Sequence, residues 1–187
     1  AQLPETHWTL LVQAVDQWVP EVSEILEYFD FIPNWRLDDI MISYAPEGGS
    51  VGPHFDNYDV FLLQAQGERR WQLGPSCDNE TPRLKHSDLR ILEKMNVIEE
   101  WILSPGDMLY LPPRYAHYGI AENDCMTYSI GFRAPSVGDI VANFGDYLAN
   151  QLPDDIRYED ADLAFQKNPG EITTPTLTKL KELISQT

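Results

Sequence analysis

A chain of 187 residues with 43% hydrophobic content, including 5 Trp, 9 Tyr and 7 Phe, has the size of one ordinary domain and too much apolar surface to stay disordered. Its apolar runs fall short of the roughly 18 residues that a membrane-spanning helix needs, and two cysteines, Cys77 and Cys125, cannot make a disulfide framework or a thiolate zinc site. The formal charge of −17, from 30 acids against 13 bases, argues against sequence-independent nucleic-acid binding, which needs cations to displace phosphate counterions, and favours a basic partner.

In chain order, Trp8, Leu11, Val12 and Val15 recur at helical spacing after Thr6, a plausible N-cap, and predict a first helix. Pro20 opens a second helical pattern through Val22, Ile25, Leu26 and Phe29. After Pro33 the period changes to two: over residues 36–44, Asp39, Met41 and Ser43 share one strand face, and Ile40, Ile42 and Tyr44 share the other. A glycine-rich loop, Glu47-Gly48-Gly49-Ser50-Val51-Gly52-Pro53, leads to strand-like runs at 58–64 and 69–73, read as a hairpin around Gly67. Residues 74–95 are polar and irregular. Strands are then expected at 97–103, 108–111 and 126–132, with a Ser104-Pro105-Gly106-Asp107 turn and a Pro112-Pro113 break between them.

The end of the chain turns helical again, with Ile140, Val141, Phe144, Tyr147 and Leu148 on one face and a weaker pattern over 177–184. An acidic stretch, Asp154, Asp155, Glu159, Asp160 and Asp162, reads as a solvated linker between them. Short strands flanked by helices at both ends predict a mostly β fold: a double-stranded β-helix, the jelly-roll or cupin-like barrel of two facing sheets. The absence of a basic, then apolar, leader and the sparse cysteines point to a cytoplasmic protein. A start at Ala1 rather than Met reads as an excised piece.

Gly52-Pro53-His54-Phe55-Asp56 sets a His and an Asp two residues apart, and a period of two aims both side chains the same way. The chain has four histidines, His7, His54, His86 and His117. His117, 61 residues beyond Asp56 and just past a strand ending in Leu111-Pro112-Pro113, is the natural third ligand. Two imidazoles and one carboxylate on one face of an octahedron suit a non-haem Fe(II) centre with open positions for substrates. His86-Ser87-Asp88 repeats the pattern in a charged loop, where Ser87 or Asp88 more simply caps a turn.

Residues 44–59, Gly67-Glu68-Arg69-Arg70-Trp71, the run from Ser104 through Pro113, and Tyr128-Ser129-Ile130-Gly131-Phe132-Arg133-Ala134-Pro135 follow one another in an order that resembles the JmjC-domain 2-oxoglutarate oxygenases. More narrowly, they resemble the bacterial ribosomal oxygenase branch, which hydroxylates an arginine of a large-subunit ribosomal protein. The resemblance covers most of residues 8–150. It implies Fe(II) held by His54, Asp56 and His117, with 2-oxoglutarate as cosubstrate and O2 as oxidant. Arg69 matches the position of the family's cation for the far carboxylate of 2-oxoglutarate, with a fork that can grip it bidentately; the alternative is an exposed arginine paired with an acid such as Glu68. Thr127 could add a hydroxyl inside the barrel.

For the target side chain, the resemblance implies Asp39 as the carboxylate that meets a buried guanidinium. Met41 and Tyr58 would wall its methylenes and Ser129 would complete the pocket, with ordinary packing as the alternative for Met41 and Tyr58. The domain reading is a catalytic barrel over 1–135, lacking an N-terminal portion, followed by helices at 136–187 that begin a dimerisation region, so that the intact protein is expected to be a homodimer. The acidic surface fits a basic ribosomal protein as partner, with neither nucleic acid nor membrane bound directly. Other readings of the same residues are a histidine hydroxylase or lysyl demethylase of this superfamily, and a cupin-like module that binds metal without redox chemistry.

Overall fold

The computed structural model describes residues 3–85, 89–153, 156–162 and 164–185. Two compact units divide the chain, Ala1–Ala134 and Pro135–Thr187. The first is built on eight strands: β1 (Leu10–Val12), β2 (Leu37–Ala45), β3 (Asp59–Gln66), β4 (Arg69–Ser76), β5 (Glu99–Leu103), β6 (Met108–Leu111), β7 (Tyr115–Ala121) and β8 (Cys125–Phe132). They form two antiparallel sheets, one in the order β1-β2-β8-β3-β6 and the other in the order β5-β4-β7. This is the expected mostly β, cupin-like architecture with helices at both ends.

Alternation along the strands sorts side chains into an outer and an inner layer. Ile40 of β2 with Ile130 and Phe132 of β8 face outward, where Val22 and Phe29 of the N-terminal helical segment bury them. That segment is α1 (Pro20–Ser23) continued by a 3-10 stretch, Glu24–Phe29. On the other face, Val60 and Leu62 of β3 pack with Trp71, Leu103 and Leu111 to fill the space between the sheets. Trp71 lies in register with Gly119 of β7, and a Cβ on Gly119 would stand 2.7 Å from the indole ring. A residue without a side chain is therefore what lets the tryptophan lie against β7.

Three expectations from the sequence change. The first predicted helix is instead a short strand: Leu10, Leu11 and Val12 pair with Tyr44, Ser43 and Ile42, and pairing with an available sheet edge outweighs the helical spacing. Its one helical piece is a 3-10 turn at Val15–Gln17, entered through Ala14 at φ 53°. The runs at 58–64 and 69–73 are both strands, but they are no hairpin, because β3 pairs with β6 and β8 while β4 pairs with β5 and β7. Gly67, at φ 61° with its missing Cβ only 2.1 Å from the Asp124 carbonyl oxygen, turns the chain from one sheet into the other. No strand was expected between 111 and 126, yet β7 lies there and holds His117, just past the strand that ends at Leu111; a segment with Ala116, Gly119 and Ala121 carries weak strand propensity.

The second unit contains α2 (Val137–Ala149) and α3 (Thr174–Ser185). Ser136 and Asp139 form a reciprocal capping box at the start of α2, and its apolar residues Ile140, Val141, Phe144 and Tyr147 are exposed. Asp154 and Asp155 of the acidic stretch lie outside the described residues. Among the described residues, no helix is long and apolar enough to cross a membrane.

Candidate metal centre

Backbone pairing brings the third ligand to the first two. His54 and His117 form an isolated antiparallel bridge, and the Asp56 carbonyl accepts the Arg114 N–H at 2.6 Å, which ties the two segments together again past the Pro112-Pro113 turn. The side chains of His54, Asp56 and His117 then converge, their nearest ligand atoms all within 4.8 Å of one another. Asp56 Oδ2 lies 3.6 Å from His117 Nε2 and 4.0 Å from His54 Nε2.

Each imidazole is oriented through its other nitrogen. His54 Nδ1 lies 2.9 Å from the Gly52 carbonyl oxygen and His117 Nδ1 lies 3.0 Å from that of Tyr115. A carbonyl oxygen only accepts, so each Nδ1 carries the proton and each Nε2 presents a lone pair toward Asp56. Burial pushes the His117 pKa down to about 4, with the neighbouring His54 adding to the effect and Asp56 and the Tyr115 carbonyl opposing it. The ring is neutral near pH 7, the form a metal ligand needs.

A cavity of about 170 Å³ runs between the sheets from this triad to Arg69, lined also by Met41, Ser43, Tyr58, Trp71 and Ser129. Arg69 is only 3% exposed. Its guanidinium carbon sits 5.8 Å from the centroid of the Trp71 ring, one N–H points at Cys125 Sγ at 3.5 Å, and its buried Nε has no partner. Among the described residues, no carboxylate pairs with Arg69. Glu68 accepts from Ser104 instead, and the next residue, Arg70, faces the other way into Glu100 and Glu122.

A family model for the JmjC domain matches residues 24–140. The chain belongs to the JmjC family. A probable ribosomal oxygenase of Haemophilus influenzae is 42% identical over 190 residues, covering 98% of this chain and 46% of the relative. The ribosomal protein uL16 3-hydroxylase of Escherichia coli is 38% identical over 182 residues, covering 97% and 48%. The structure of the Escherichia coli ribosomal oxygenase YcfD in complex with cobalt and 2-oxoglutarate superposes with a TM-score of 0.75 at 37% identity, covering 99% of this chain and 48% of that one. The chain spans about half the length of these relatives.

The donor set of this JmjC domain fits a hard or borderline divalent ion, with two neutral imidazole nitrogens and one carboxylate. The unpaired, buried Arg69 fits the far carboxylate of a dicarboxylate cosubstrate, since a cation so enclosed is costly without an anion. Thr127 is less directly placed: it is fully buried outside the cavity lining, and its hydroxyl donates to Gln64 Oε1 at 2.8 Å, while the Gln64 amide donates to the Gln66 and Gly67 carbonyls. The one hydroxyl proton of Thr127 is therefore committed.

Of the four residues assigned to the target side chain, Met41, Tyr58 and Ser129 line the cavity and Asp39 does not. Asp39 falls where the β2–β8 register shifts, between Leu37 and Ile40, and its Oδ2 accepts the Ala14 N–H at 2.7 Å. Burial raises the Asp39 pKa, against the lowering effect of that hydrogen bond. Tyr58 is raised strongly, first by burial and then by Asp56, Asp38 and Asp39, so these acids bear on one phenol. The motif His86-Ser87-Asp88 lies outside the described residues. Ser43 and Trp71 are cavity residues to which no role attaches from sequence; the period of two in β2 already places Ser43 beside Met41, whereas Trp71 is indistinguishable there from a core aromatic.

Proposed function

We propose that this JmjC domain is the catalytic part of an Fe(II)- and 2-oxoglutarate-dependent oxygenase that hydroxylates an arginine side chain of a basic large-subunit ribosomal protein. The observation that carries the reading is the buried, carboxylate-free Arg69 sharing one cavity with the His54–Asp56–His117 cluster. A metal-binding module without redox chemistry has no need for a cation enclosed beside its metal.

His54, Asp56 and His117 would hold the iron through Nε2, Oδ and Nε2, their orientations fixed by the Gly52 and Tyr115 carbonyls. When bound, iron and 2-oxoglutarate supply the oxidising chemistry: dioxygen is consumed, 2-oxoglutarate becomes succinate and carbon dioxide, and one oxygen atom enters a C–H bond of the target. Arg69 grips the far carboxylate of the cosubstrate, and Trp71, Val60 and Leu62 keep that end of the cavity dry, which strengthens the ion pair. Thr127 acts at one remove by ordering Gln64.

The target arginine enters past Met41 and Tyr58, whose thioether and ring can lie along its methylenes and guanidinium plane. Ser129 and the second oxygen of Asp39 are its polar partners. Positioning the target carbon beside the metal is the protein's main contribution to rate. A charge of −17 steers a strongly basic protein toward the site, and the name of the Escherichia coli relative makes uL16 the first candidate. The same reading extends the catalytic domain over 1–135, makes 136–187 the start of a dimerisation region with the exposed face of α2 in its interface, and places the intact homodimer in the cytoplasm.

The test is an anaerobic titration of the chain with Fe(II) and then 2-oxoglutarate, observing the visible charge-transfer band, with His54→Ala as control. A band in the wild type alone, followed by a gain of one oxygen mass in uL16, supports the reading. Iron binding with no band leaves a metal-binding module.

A further inference from the structure

Against Arg69, outside the residues that line the cavity, lies a group that neither the metal centre nor the target pocket uses. Cys125 opens β8 and is fully buried, and its sulfur receives the one hydrogen bond that the Arg69 guanidinium makes among the described residues. The surroundings keep it there. Cys125 pairs with Ala45 across β2 and β8, Arg69 pairs with Ala121 across β4 and β7, and Ala45, Ala121 and Cys125 form one buried cluster of small side chains. Behind them, a Cβ on Gly67 would stand 2.9 Å from Cys125 Cα, so the start of β8 is clamped against the β3–β4 turn.

A thiol sulfur is a weak acceptor. It can fix the direction of one N–H without neutralising the guanidinium, whereas a carboxylate in its place would pair with the cation and compete with any anionic ligand. We infer that Cys125 is a positioning residue for the cosubstrate: its sulfur aims the Arg69 guanidinium into the cavity and leaves its charge free for the far carboxylate of 2-oxoglutarate. This inference rests on Arg69 being the cosubstrate's cation, and the experiment separates the two.

The chain is loaded with Mn(II), and 2-oxoglutarate binding is measured by calorimetry for the wild type, Cys125→Ser, Cys125→Ala, Cys125→Asp and Arg69→Ala, with Mn(II) affinity read separately by electron paramagnetic resonance. Cys125→Ala is expected to weaken 2-oxoglutarate binding by about 3- to 10-fold, the size of one modest hydrogen bond. Cys125→Ser, which restores an acceptor, stays near wild type. Cys125→Asp weakens binding by at least about 30-fold, as an ion pair facing the ligand's carboxylate should. Mn(II) affinity is unchanged throughout, and in turnover Cys125→Ala raises the KM for 2-oxoglutarate without lowering kcat. If Cys125→Asp melts far below the wild type, the Ala and Ser pair decides the matter. Loss of 2-oxoglutarate binding in Arg69→Ala, with wild-type binding in Cys125→Ala and Cys125→Asp, overturns the inference alone. Wild-type binding in Arg69→Ala overturns the cosubstrate reading and the inference with it.

Discussion

His54 and His117 lie directly opposite each other in a single antiparallel bridge, each donating its N–H to the other's carbonyl oxygen, at 3.0 and 2.8 Å. Their imidazoles stand with ring centroids 4.3 Å apart. Residues 63 positions apart in sequence thus become neighbours through two backbone hydrogen bonds, and the metal cluster exists only when the strands around it are formed.

A divalent ion that binds this cluster should therefore stabilise the fold. At a metal concentration about 100 times its dissociation constant the gain is about 2.7 kcal/mol, which for a chain of this size raises the melting temperature by about 5–10 °C. Differential scanning calorimetry with and without Mn(II) measures it. The shift should vanish in His54→Ala and Asp56→Ala, and a shift retained in both would place the ion elsewhere.

Acid should weaken the metal-free fold through His117. Its pKa in the folded chain is held near 4 by burial, while the unfolded chain protonates near the ordinary value of about 6.5. Between those two values the unfolded state takes up a proton that the folded state refuses, so stability falls as pH drops from about 6.5 to about 4 and is indifferent to this residue outside that window. Urea melts across the range should show the loss in the wild type and a smaller loss in His117→Gln, whose uncharged side chain does not titrate.

Arg69 should contribute to cosubstrate binding and little to stability. A buried cation without an anion is costly, and an apolar replacement of similar length removes that cost. Arg69→Met is expected to melt no lower than the wild type while its 2-oxoglutarate affinity falls by about 30-fold or more. A variant that melts much lower and still binds 2-oxoglutarate would make Arg69 a structural residue.

The parts of this molecule that were legible in sequence are those whose local pattern and tertiary environment agree. β2 follows from alternation after Pro33, β6 and β8 from short apolar runs set off by turn residues, and the two converging residues of His54-Phe55-Asp56 from a period of two. β1 was not legible, because Trp8, Leu11, Val12 and Val15 have helical spacing and only the edge of β2 draws Leu10–Val12 into a strand. β7 was hidden by its small residues, among them the Gly119 that Trp71 requires, so His117 was read without a strand of its own. The partner of each strand was less legible still: Gly67 marks a turn, yet whether the chain folds back on itself or crosses to a second sheet depends on β5 and β7, which lie far along the sequence.

The close approach behind that hidden strand gives a direct test of the fold. Gly119→Ala places a methyl group 2.7 Å from the Trp71 ring, and overpacking of this kind costs about 1–3 kcal/mol. The double variant Gly119→Ala with Trp71→Phe should recover part of the loss, because the smaller ring makes room. Chemical denaturation of the two single variants and the pair reads the coupling directly, and simple additivity would mean that the two residues do not touch.

Asp39 poses a choice that one pair of variants resolves. Its Oδ2 accepts the Ala14 N–H at 2.7 Å, and nearby Asp16 accepts the Ile40 N–H at 2.8 Å, so the turn after β1 is fastened to β2 from both sides. Asp39→Asn keeps an acceptor for Ala14 and removes the charge, whereas Asp39→Ala removes both. If Asp39 also meets the target guanidinium, Asp39→Asn should melt close to the wild type and raise the KM for a uL16 substrate by about 30-fold or more, the size of a charge left unpaired in an enclosed site. Asp39→Ala should do the same and lose about 1 kcal/mol of stability besides, the usual worth of a side-chain cap. Were Asp39→Asn to turn over substrate with an unchanged KM, the carboxylate would serve only to hold Ala14, and the partner of the guanidinium would have to be sought beside Tyr58, whose raised pKa already registers Asp38 as well as Asp39.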